Sequence, residues 1–267
     1  MLNLKKLAAL AMSLAMLTVS FTGCSEESEA EKNSTAASEF VELEDLPKPS
    51  KETGKVANFT APEKGEEIIV MKIKDYGDIK IKLFNEQAPA GSKNFSYHAS
   101  TGYYDGLIFH RIINNFMIQG GDPMGVGIGG ESIWGEKFDG GTHSDVVHVP
   151  GAVCYANSGH TSTNGSQFYI VTGDTVDESM IAQYQAAGYP ISEDAGKIYA
   201  EIGKGTPFLD GSYTVFGQVF DGLDIVYELQ GVETDSSDKP LTDVVMEEVR
   251  IEKYNGEDVK FYIDDYK

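Results

Sequence analysis

Between residues 107 and 169 the apolar residues of this chain come in runs of two to five, each too short to form a helix. The runs occupy residues 108–109, 112–113, 116–118, 152–156 and 168–171, with glycines and polar turn residues between them. β-Branched and aromatic residues are frequent in these runs, which is typical of short antiparallel strands bounded by turns. This spacing predicts a closed antiparallel β structure.

Alternating apolar and charged residues predict two further strands that precede this region, at residues 67–75 and 78–83 on either side of a glycine turn. The second stretch alternates aliphatic residues with lysines, in the order Ile79, Lys80, Ile81, Lys82 and Leu83. A period of two predicts one buried and one solvated face. Residues 214–220 and 244–252 predict additional strands. Helices are predicted at residues 89–101, where Pro89 suits a first turn, and at 223–230, which Gly231 ends.

Residues 174–205 interrupt the β-rich pattern with two predicted amphipathic helices. The first covers residues 177–187 with Asp177 as its N-cap, and the second covers 192–202 with Ser192 as its N-cap. Gly188 and Gly203 follow these helices at the position where a left-handed residue commonly ends a helix. We expect a helical insertion in an otherwise β-rich domain.

The N-terminus resembles a targeting segment rather than part of a folded domain. Two lysines, Lys5 and Lys6, precede an uncharged and largely apolar stretch at residues 7–23, which is too short for a typical membrane-spanning helix. The stretch ends Phe21-Thr-Gly-Cys24, which resembles the lipobox of bacterial lipoproteins. We therefore expect a signal peptide at 1–23 and a diacylated Cys24 on the extracytoplasmic face of a bacterial cell membrane. The alternative is an ordinary secretory peptide.

Residues 24–66 are rich in Ser, Glu, Ala, Lys and Pro and contain few large apolar residues, which predicts a disordered acidic tether. The folded domain is expected at residues 67–254, with a short C-terminal tail at 255–267.

Lys and Arg number 21 against 42 Asp and Glu, a net charge of −21 that opposes contact with a phosphate backbone. Nucleic-acid binding is therefore not expected. The chain has two cysteines, Cys24 and Cys154, which are too few for a disulfide framework. Cys154 is predicted to be a small buried apolar residue.

Several common site signals lack the context that would give them meaning. The glycine-rich stretch 125–130 does not follow a predicted strand or open a predicted helix, as a dinucleotide-binding loop requires. Ser166 is followed by Gln-Phe rather than by the glycine of a nucleophile elbow. His143, His148 and His160 show no metal-ligand spacing, so surface or capping positions are expected for them and no metal site is predicted.

The stretch Phe109-His-Arg-Ile-Ile-Asn-Asn-Phe-Met-Ile-Gln-Gly-Gly-Asp122 places one arginine, Arg111, among apolar residues. At this point the sequence resembles the cyclophilin family of peptidyl-prolyl cis/trans isomerases. Further blocks match that family in the same order, at residues 132–138, 155–157, 164–169, 208–211 and 215–217. The resemblance covers roughly residues 68–254 and implies an eight-stranded antiparallel barrel capped by two helices.

The resemblance also implies roles for individual residues. The catalytic set falls on Arg111, Phe116 and Gln167. The substrate-binding set falls on Met117, Gln119, Ala156, Asn157, Tyr169, Phe208, Leu209 and Tyr213. Three of these depart from the family's best-known members, because Phe208 replaces Trp, Tyr213 replaces His and Tyr169 replaces Phe. Since the indole N–H of that Trp donates to cyclosporin and Phe has no donor, we expect weak cyclosporin binding.

A member of this family needs no cofactor, and none is expected. The predicted activity is isomerisation of X–Pro bonds in secreted or surface proteins as they fold, with Arg111 stabilising the twisted amide. A non-catalytic module that holds Pro-containing segments as a chaperone or adaptor is the alternative. The expected partners are X–Pro segments and, through the lipid anchor, the membrane, and the chain is expected to be a monomer.

Overall fold

Eight antiparallel strands form one curled sheet around which the rest of the described chain is arranged. The computed structural model describes residues 38–257, 259 and 261. Its strands are β1 (Glu67–Ile73), β2 (Gly77–Leu83), β3 (Arg111–Ile113), β4 (Met117–Gly120), β5 (Ala152–Tyr155), β6 (Phe168–Val171), β7 (Asp174–Thr175), β8 (Lys204–Gly205), β9 (Val215–Asp221) and β10 (Met246–Lys253). Its α-helices are α1 (Pro89–Ser100), α2 (Glu178–Ala186), α3 (Glu193–Ile202) and α4 (Leu223–Leu229). Single 3₁₀ turns occupy Leu43–Asp45, Thr161–Thr163 and Pro207–Leu209.

The large sheet has the strand order β10-β1-β2-β9-β5-β6-β4-β3, and every pair is antiparallel. The prediction of a closed barrel is wrong, because the edge strands β3 and β10 do not pair and the sheet is a half-barrel. β3 has only three residues. The chain just before it approaches the start of β10 through the isolated bridge from Ile108 to Val245 and through three backbone hydrogen bonds between residues 106–109 and 244–246. The described chain has four α-helices: α1 and α4 match the two that the resemblance implied, and α2 and α3 match the predicted helical insertion.

The concave face of the sheet is filled by the side chains that the alternating pattern pointed inward. Ile79, Ile81 and Leu83 of β2 are buried, while the lysines between them are not. α1 covers this face with Phe95, whose ring lies 5.0 Å from that of Phe216 and 4.7 Å from that of Tyr104. Such aromatic contacts add to the stabilisation from burial itself, so α1 is anchored in the core.

The helical insertion begins and ends at a small separate ribbon in which β7 pairs with β8. Asp177 accepts a hydrogen bond from Met180 N and Ser192 accepts one from Ala195 N, which are the N-caps that the sequence predicts for α2 and α3. Gly203 follows α3 with a φ of 70°. The insertion packs on the domain through its own apolar cluster of Val147, Val149, Val176, Ile181, Ile191, Ala195, Tyr199 and Ile202.

Described residues of the segment expected to be a tether contact the domain. Asn58 is fully buried, and its Nδ2 donates to Gln218 Oε1 at 2.8 Å while its Oδ1 accepts from Val147 N at 3.0 Å. Thr53 N and Oγ1 both donate to Asp145 Oδ2, at 2.8 and 2.7 Å. Val56 and Phe59 also pack against an apolar cluster of the domain. The partners of these contacts lie far away in the chain, so the composition of the segment did not predict them.

Other predictions about the chain ends lie partly or wholly outside the described residues. Cys24 and the signal peptide at 1–23 are outside them, and the C-terminal tail is described only at residues 255–257, 259 and 261. The ring of Phe261 in that tail lies 5.8 Å from the ring of Phe59. Over the part of the chain that the structure describes, no helix has the length and apolar character needed to cross a membrane.

Candidate active site

One cavity of about 250 Å³ opens on the convex side of the sheet, where β3, β4 and β6 meet the 207–209 turn. It is lined by Arg111, Phe116, Met117, Gln119, Ala156, Asn157, Tyr169, Leu209 and Tyr213. Every one of these nine residues belongs to the set predicted from the sequence. The other two members of that set, Gln167 and Phe208, do not line the cavity and contact its walls instead.

Strand register explains why distant residues meet here. Arg111 pairs with Gln119 across β3 and β4, and Gln119 pairs with Tyr169 across β4 and β6. Directly paired residues point to the same side of a sheet, and so do residues two apart on one strand, which adds Met117 to this face. Ile112 and Ile118, which alternate with them, point into the core on the other side. The short β-strands therefore place a cation, an amide and apolar side chains on one surface.

The polar wall of the cavity is held by a chain of amide hydrogen bonds. Gln119 Nε2 donates to Gln167 Oε1 at 3.0 Å, and Gln167 Nε2 donates to the carbonyl oxygen of Gly129 at 2.8 Å. Gln167 therefore acts on the cavity through Gln119, whose amide it orients. Asn157 lies at the same end, because Ala156 N donates to Gln167 O at 3.0 Å.

Arg111 is held loosely. Its side chain is 42% exposed, and among the described residues its one acidic partner is Asp238, with 3.4 Å between Nε and Oδ2. Asp238 is 43% exposed and also accepts a backbone hydrogen bond from Ile112 N at 2.8 Å. An exposed ion pair of this kind contributes about 0–1 kcal/mol, so a ligand in the cavity can engage the guanidinium at little cost.

The apolar wall combines Phe116, Met117, Leu209 and two tyrosines. Tyr169 is 5% exposed, and its hydroxyl has no nitrogen or oxygen partner in the described chain. Burial is the main cause that raises the pKa of Tyr169 well above its usual value, so the phenol stays neutral. The ring of Tyr213 meets that of Tyr169 edge to face at 5.9 Å. These side chains make a dry, uncharged lining next to one cation.

Comparison with known proteins agrees with this arrangement. The family model described as cyclophilin type peptidyl-prolyl cis-trans isomerase/CLD matches residues 68–251. The chain belongs to the cyclophilin family. A protein of Staphylococcus saprophyticus, provisionally named a peptidyl-prolyl cis-trans isomerase, is 44% identical over 187 residues, which are 70% of this chain and 93% of that protein. A Staphylococcus aureus protein of the same provisional name is 44% identical over 191 residues, covering 72% of this chain and 94% of that protein.

Solved structures give the same result. A cyclophilin type peptidyl-prolyl cis-trans isomerase from Cryptosporidium parvum, crystallised in the presence of the dipeptide Ala-Pro, has a TM-score of 0.55 and 32% identity, covering 69% of this chain and 98% of its own. A second crystal structure of that enzyme has a TM-score of 0.56 and 31% identity, covering 70% and 97%. The present cyclophilin is therefore a peptidyl-prolyl cis-trans isomerase.

A buried polar network that the sequence did not predict lies behind the cavity of this cyclophilin. His148, expected at the surface or in a cap, is 1% exposed, and its Nδ1 lies 2.6 Å from Asp210 Oδ1. Oδ1 also accepts from His148 N at 3.0 Å, and Tyr199 of α3 donates its hydroxyl proton to Oδ2 at 2.8 Å. Asp210 directly follows Leu209, so this network connects the insertion to the cavity wall. Only the block 208–211 pointed to it in the sequence.

Phe208 lies at the rim of the cavity rather than in its lining. Its ring stacks on that of Phe116 at 6.2 Å with 21° between the planes, and the residue is 39% exposed.

No group of three or more potential metal ligands occurs among the described residues.

Proposed function

We propose that this isomerase lowers the rotation barrier of an X–Pro bond by presenting the Arg111 guanidinium to the twisted amide while the apolar wall holds the prolyl ring. The observation that carries the proposal is the cross-strand cluster of Arg111, Gln119 and Tyr169, which places a permanent cation beside an uncharged, buried surface. No bond is broken in this reaction, so no proton donor or nucleophile is needed.

The physical reason lies in how the amide changes as it rotates. Resonance gives the bond a barrier of about 18–20 kcal/mol, and twisting removes that resonance. The prolyl nitrogen then becomes pyramidal and basic, so a guanidinium N–H binds it more strongly in the transition state than in the ground state. Lowering the barrier by about 7 kcal/mol would accelerate the reaction about 10⁵-fold.

The remaining residues have positioning roles in this scheme. Phe116, Met117 and Leu209 hold the prolyl ring, and Gln119, oriented by Gln167, faces the carbonyl side of the bond. The backbone groups of Asn157 make no hydrogen bond within the described chain, which leaves them available to pair with the extended substrate. One flank of the substrate is then fixed while the other rotates.

The test is the cis-to-trans rate of an Ala-Pro-containing tetrapeptide, measured with the full chain. The chain has two arginines, so Arg111→Ala is matched by Arg250→Ala, which removes a residue ion-paired to Glu252 on β10. We expect kcat/KM to fall about 10²- to 10³-fold for Arg111→Ala and to change less than twofold for Arg250→Ala. Arg111→Lys keeps the charge but not the planar fork, and should recover only part of the rate. An unchanged rate in Arg111→Ala would show that the mechanism is wrong.

We further propose that the isomerase is lipid-anchored through Cys24 and acts on proteins that fold outside the bacterial membrane. The basic and then apolar pattern of residues 1–23 and the position of Cys24 after a glycine support this location. Two acyl chains are enough for stable anchoring, and a chain with net charge −21 has no electrostatic attraction to anionic lipid.

The location is tested by labelling cells that express the full chain with radioactive palmitate. Cys24→Ser should lose the label and leave the membrane fraction, whereas Cys154→Ser, which removes the other cysteine, should keep both. Label that persists in Cys24→Ser would refute lipidation at this residue.

A further inference from the structure

An aromatic strip continues from the cavity onto the helical insertion. The ring of Phe208 lies 6.2 Å from that of Phe116 on one side and 6.5 Å from that of Tyr184, on α2, on the other. Tyr184 in turn meets Tyr189 edge to face at 5.2 Å. We define Phe208, Tyr184 and Tyr189 as the aromatic strip. Phe208 is 39% and Tyr189 37% exposed, so the strip forms an apolar surface that solvent reaches.

The strip lies at the opposite end of the cavity from the polar wall. Phe116 immediately precedes β4, whereas Gln119 is the third residue of β4, and strand geometry separates them by about 10 Å. Asn157 and Gln167 lie at the Gln119 end. A polypeptide that pairs with Asn157 and places its proline in the cavity therefore leaves over Phe116 and onto the strip.

The strip is held in place by contacts that do not involve a substrate. Tyr189 N donates to Tyr184 O at 3.1 Å, which fixes the turn after α2. Pro190 packs directly on Gly211, leaving no room for a side chain there, and α2 packs on the 207–209 turn. Exposed aromatic residues that are ordered by their own backbone lose little entropy when they bind, which favours recognition.

We propose that the aromatic strip is a specificity subsite for an aromatic or large aliphatic side chain of the polypeptide being isomerised. The rings from Phe116 to Tyr184 span two steps of 6.2 and 6.5 Å, which is the length of about four extended residues. The preferred side chain is therefore about four residues from the proline, on the flank remote from Asn157. The inference rests on the proposed function for its position, because it assigns the proline to the same cavity.

The occupant is the substrate chain rather than a separate partner because the strip is continuous with the proline cavity through the stacked pair of Phe116 and Phe208. An apolar surface beside a peptide-binding cavity marks an interaction site more often than a single scattered apolar residue does. Short peptides that end near the proline do not reach Tyr184, so the subsite contributes only to longer substrates.

The test compares three fluorogenic peptides of equal length that contain one proline, with Phe four residues before it, Phe four residues after it, or Ser at both positions. With the full chain, one of the two Phe peptides should have a kcat/KM about three- to tenfold above that of the Ser peptide, the factor expected for one aromatic contact. Tyr184→Ser should remove this preference while leaving the Ser peptide's kcat/KM within twofold.

Matched variants separate the subsite from a structural effect. Tyr97→Ser removes a half-buried tyrosine from α1, whose ring contacts that of Phe40, and should keep the preference. Tyr184→Phe keeps the ring and should also keep it. If Tyr184→Ser does not fold, Tyr189→Ser should reduce the preference in its place.

The two proposals fail in different ways. Equal kcat/KM for all three peptides, or a preference that survives in Tyr184→Ser, would overturn the subsite and leave the role of Arg111 untouched. Loss of the Ser peptide's turnover in Arg111→Ala together with an intact preference in the wild type would support both. A preference for Phe with an unchanged rate in Arg111→Ala would overturn the mechanism and keep the subsite.

Discussion

Tyr199→Phe should destabilise the protein and weaken substrate binding from a position in the insertion that does not touch the cavity. The Tyr199 side chain is fully buried and donates to Asp210 Oδ2 at 2.8 Å. Burial, followed by the charge of Asp210, raises the pKa of Tyr199 well above its usual value, so the hydroxyl keeps the proton it donates. Phe at this position leaves Oδ2 buried without its donor.

The size of the effect follows from the charge on the acceptor. A hydrogen bond to a charged group contributes about 1.5–3 kcal/mol, against about 1 kcal/mol for a neutral pair. Tyr104→Phe is the matched control, because the buried Tyr104 hydroxyl donates to a neutral carbonyl, Ser166 O, at 3.1 Å. At about 2–4 °C per kcal/mol for a domain of this size, we expect Tm to fall by about 3–12 °C for Tyr199→Phe and by about 2–4 °C for Tyr104→Phe.

Calorimetry on the two variants tests the stability, and the tetrapeptide assay tests the site. Because Asp210 directly follows Leu209, we expect KM to rise severalfold in Tyr199→Phe while kcat stays within twofold. Tyr104→Phe should leave KM unchanged. A Tm for Tyr199→Phe that is equal to or above that of Tyr104→Phe would refute the view that Tyr199 stabilises a buried carboxylate.

Three further predictions concern pH, backbone conformation and inhibition. Burial lowers the pKa of His98 to about 4 from an unfolded value near 6.5, so between these values the unfolded state binds a proton that the folded state excludes. Urea unfolding should therefore show about 2 kcal/mol less stability from His98 at pH 5 than at pH 7, and His98→Gln should lose this contribution to the pH dependence. Gly121 has a φ of 83°, and a Cβ added there would lie 2.5 Å from Ser166 O, so Gly121→Ala should lower the free energy of unfolding by at least about 2 kcal/mol in the same assay. Gly106 has a φ of 78° with open space around it, so Gly106→Ala should lower it by about 1 kcal/mol. Phe208→Trp should lower the cyclosporin concentration needed for half-inhibition about fivefold, since the new indole N–H adds one hydrogen bond, and an unchanged value would contradict the donor argument.

The short apolar runs, the alternation of residues 78–83 and the helix caps are signals between neighbours in the chain, and the structure contains the elements that they predict. Asp177 and Ser192 cap α2 and α3 because a side-chain oxygen reaches a backbone N–H three residues away, whatever the rest of the fold does. The family motif also predicted residues of the cavity. Arg111, Met117 and Gln119 belong to one hairpin, so strand register alone places them on the same face.

Contacts between distant segments could not be predicted in this way. Asn58 is buried because Gln218, 160 residues later, supplies an acceptor, and nothing near Asn58 in the chain indicates that partner. His148 and Asp210 are 62 residues apart, and nothing near either of them in the chain indicates that they meet.

Whether the sheet closes was also decided by the tertiary structure. The sequence determined that the strands are short and antiparallel, because periodicity and turn residues act locally. Closure depends on whether β3 and β10 reach each other in register, and in the described chain the residues just before β3, rather than β3 itself, bond to residues 244–246. The resemblance to the family indicated which residues line the cavity. Only the folded chain determined that Tyr199 and Asp210 support its wall and that Tyr184 extends its rim.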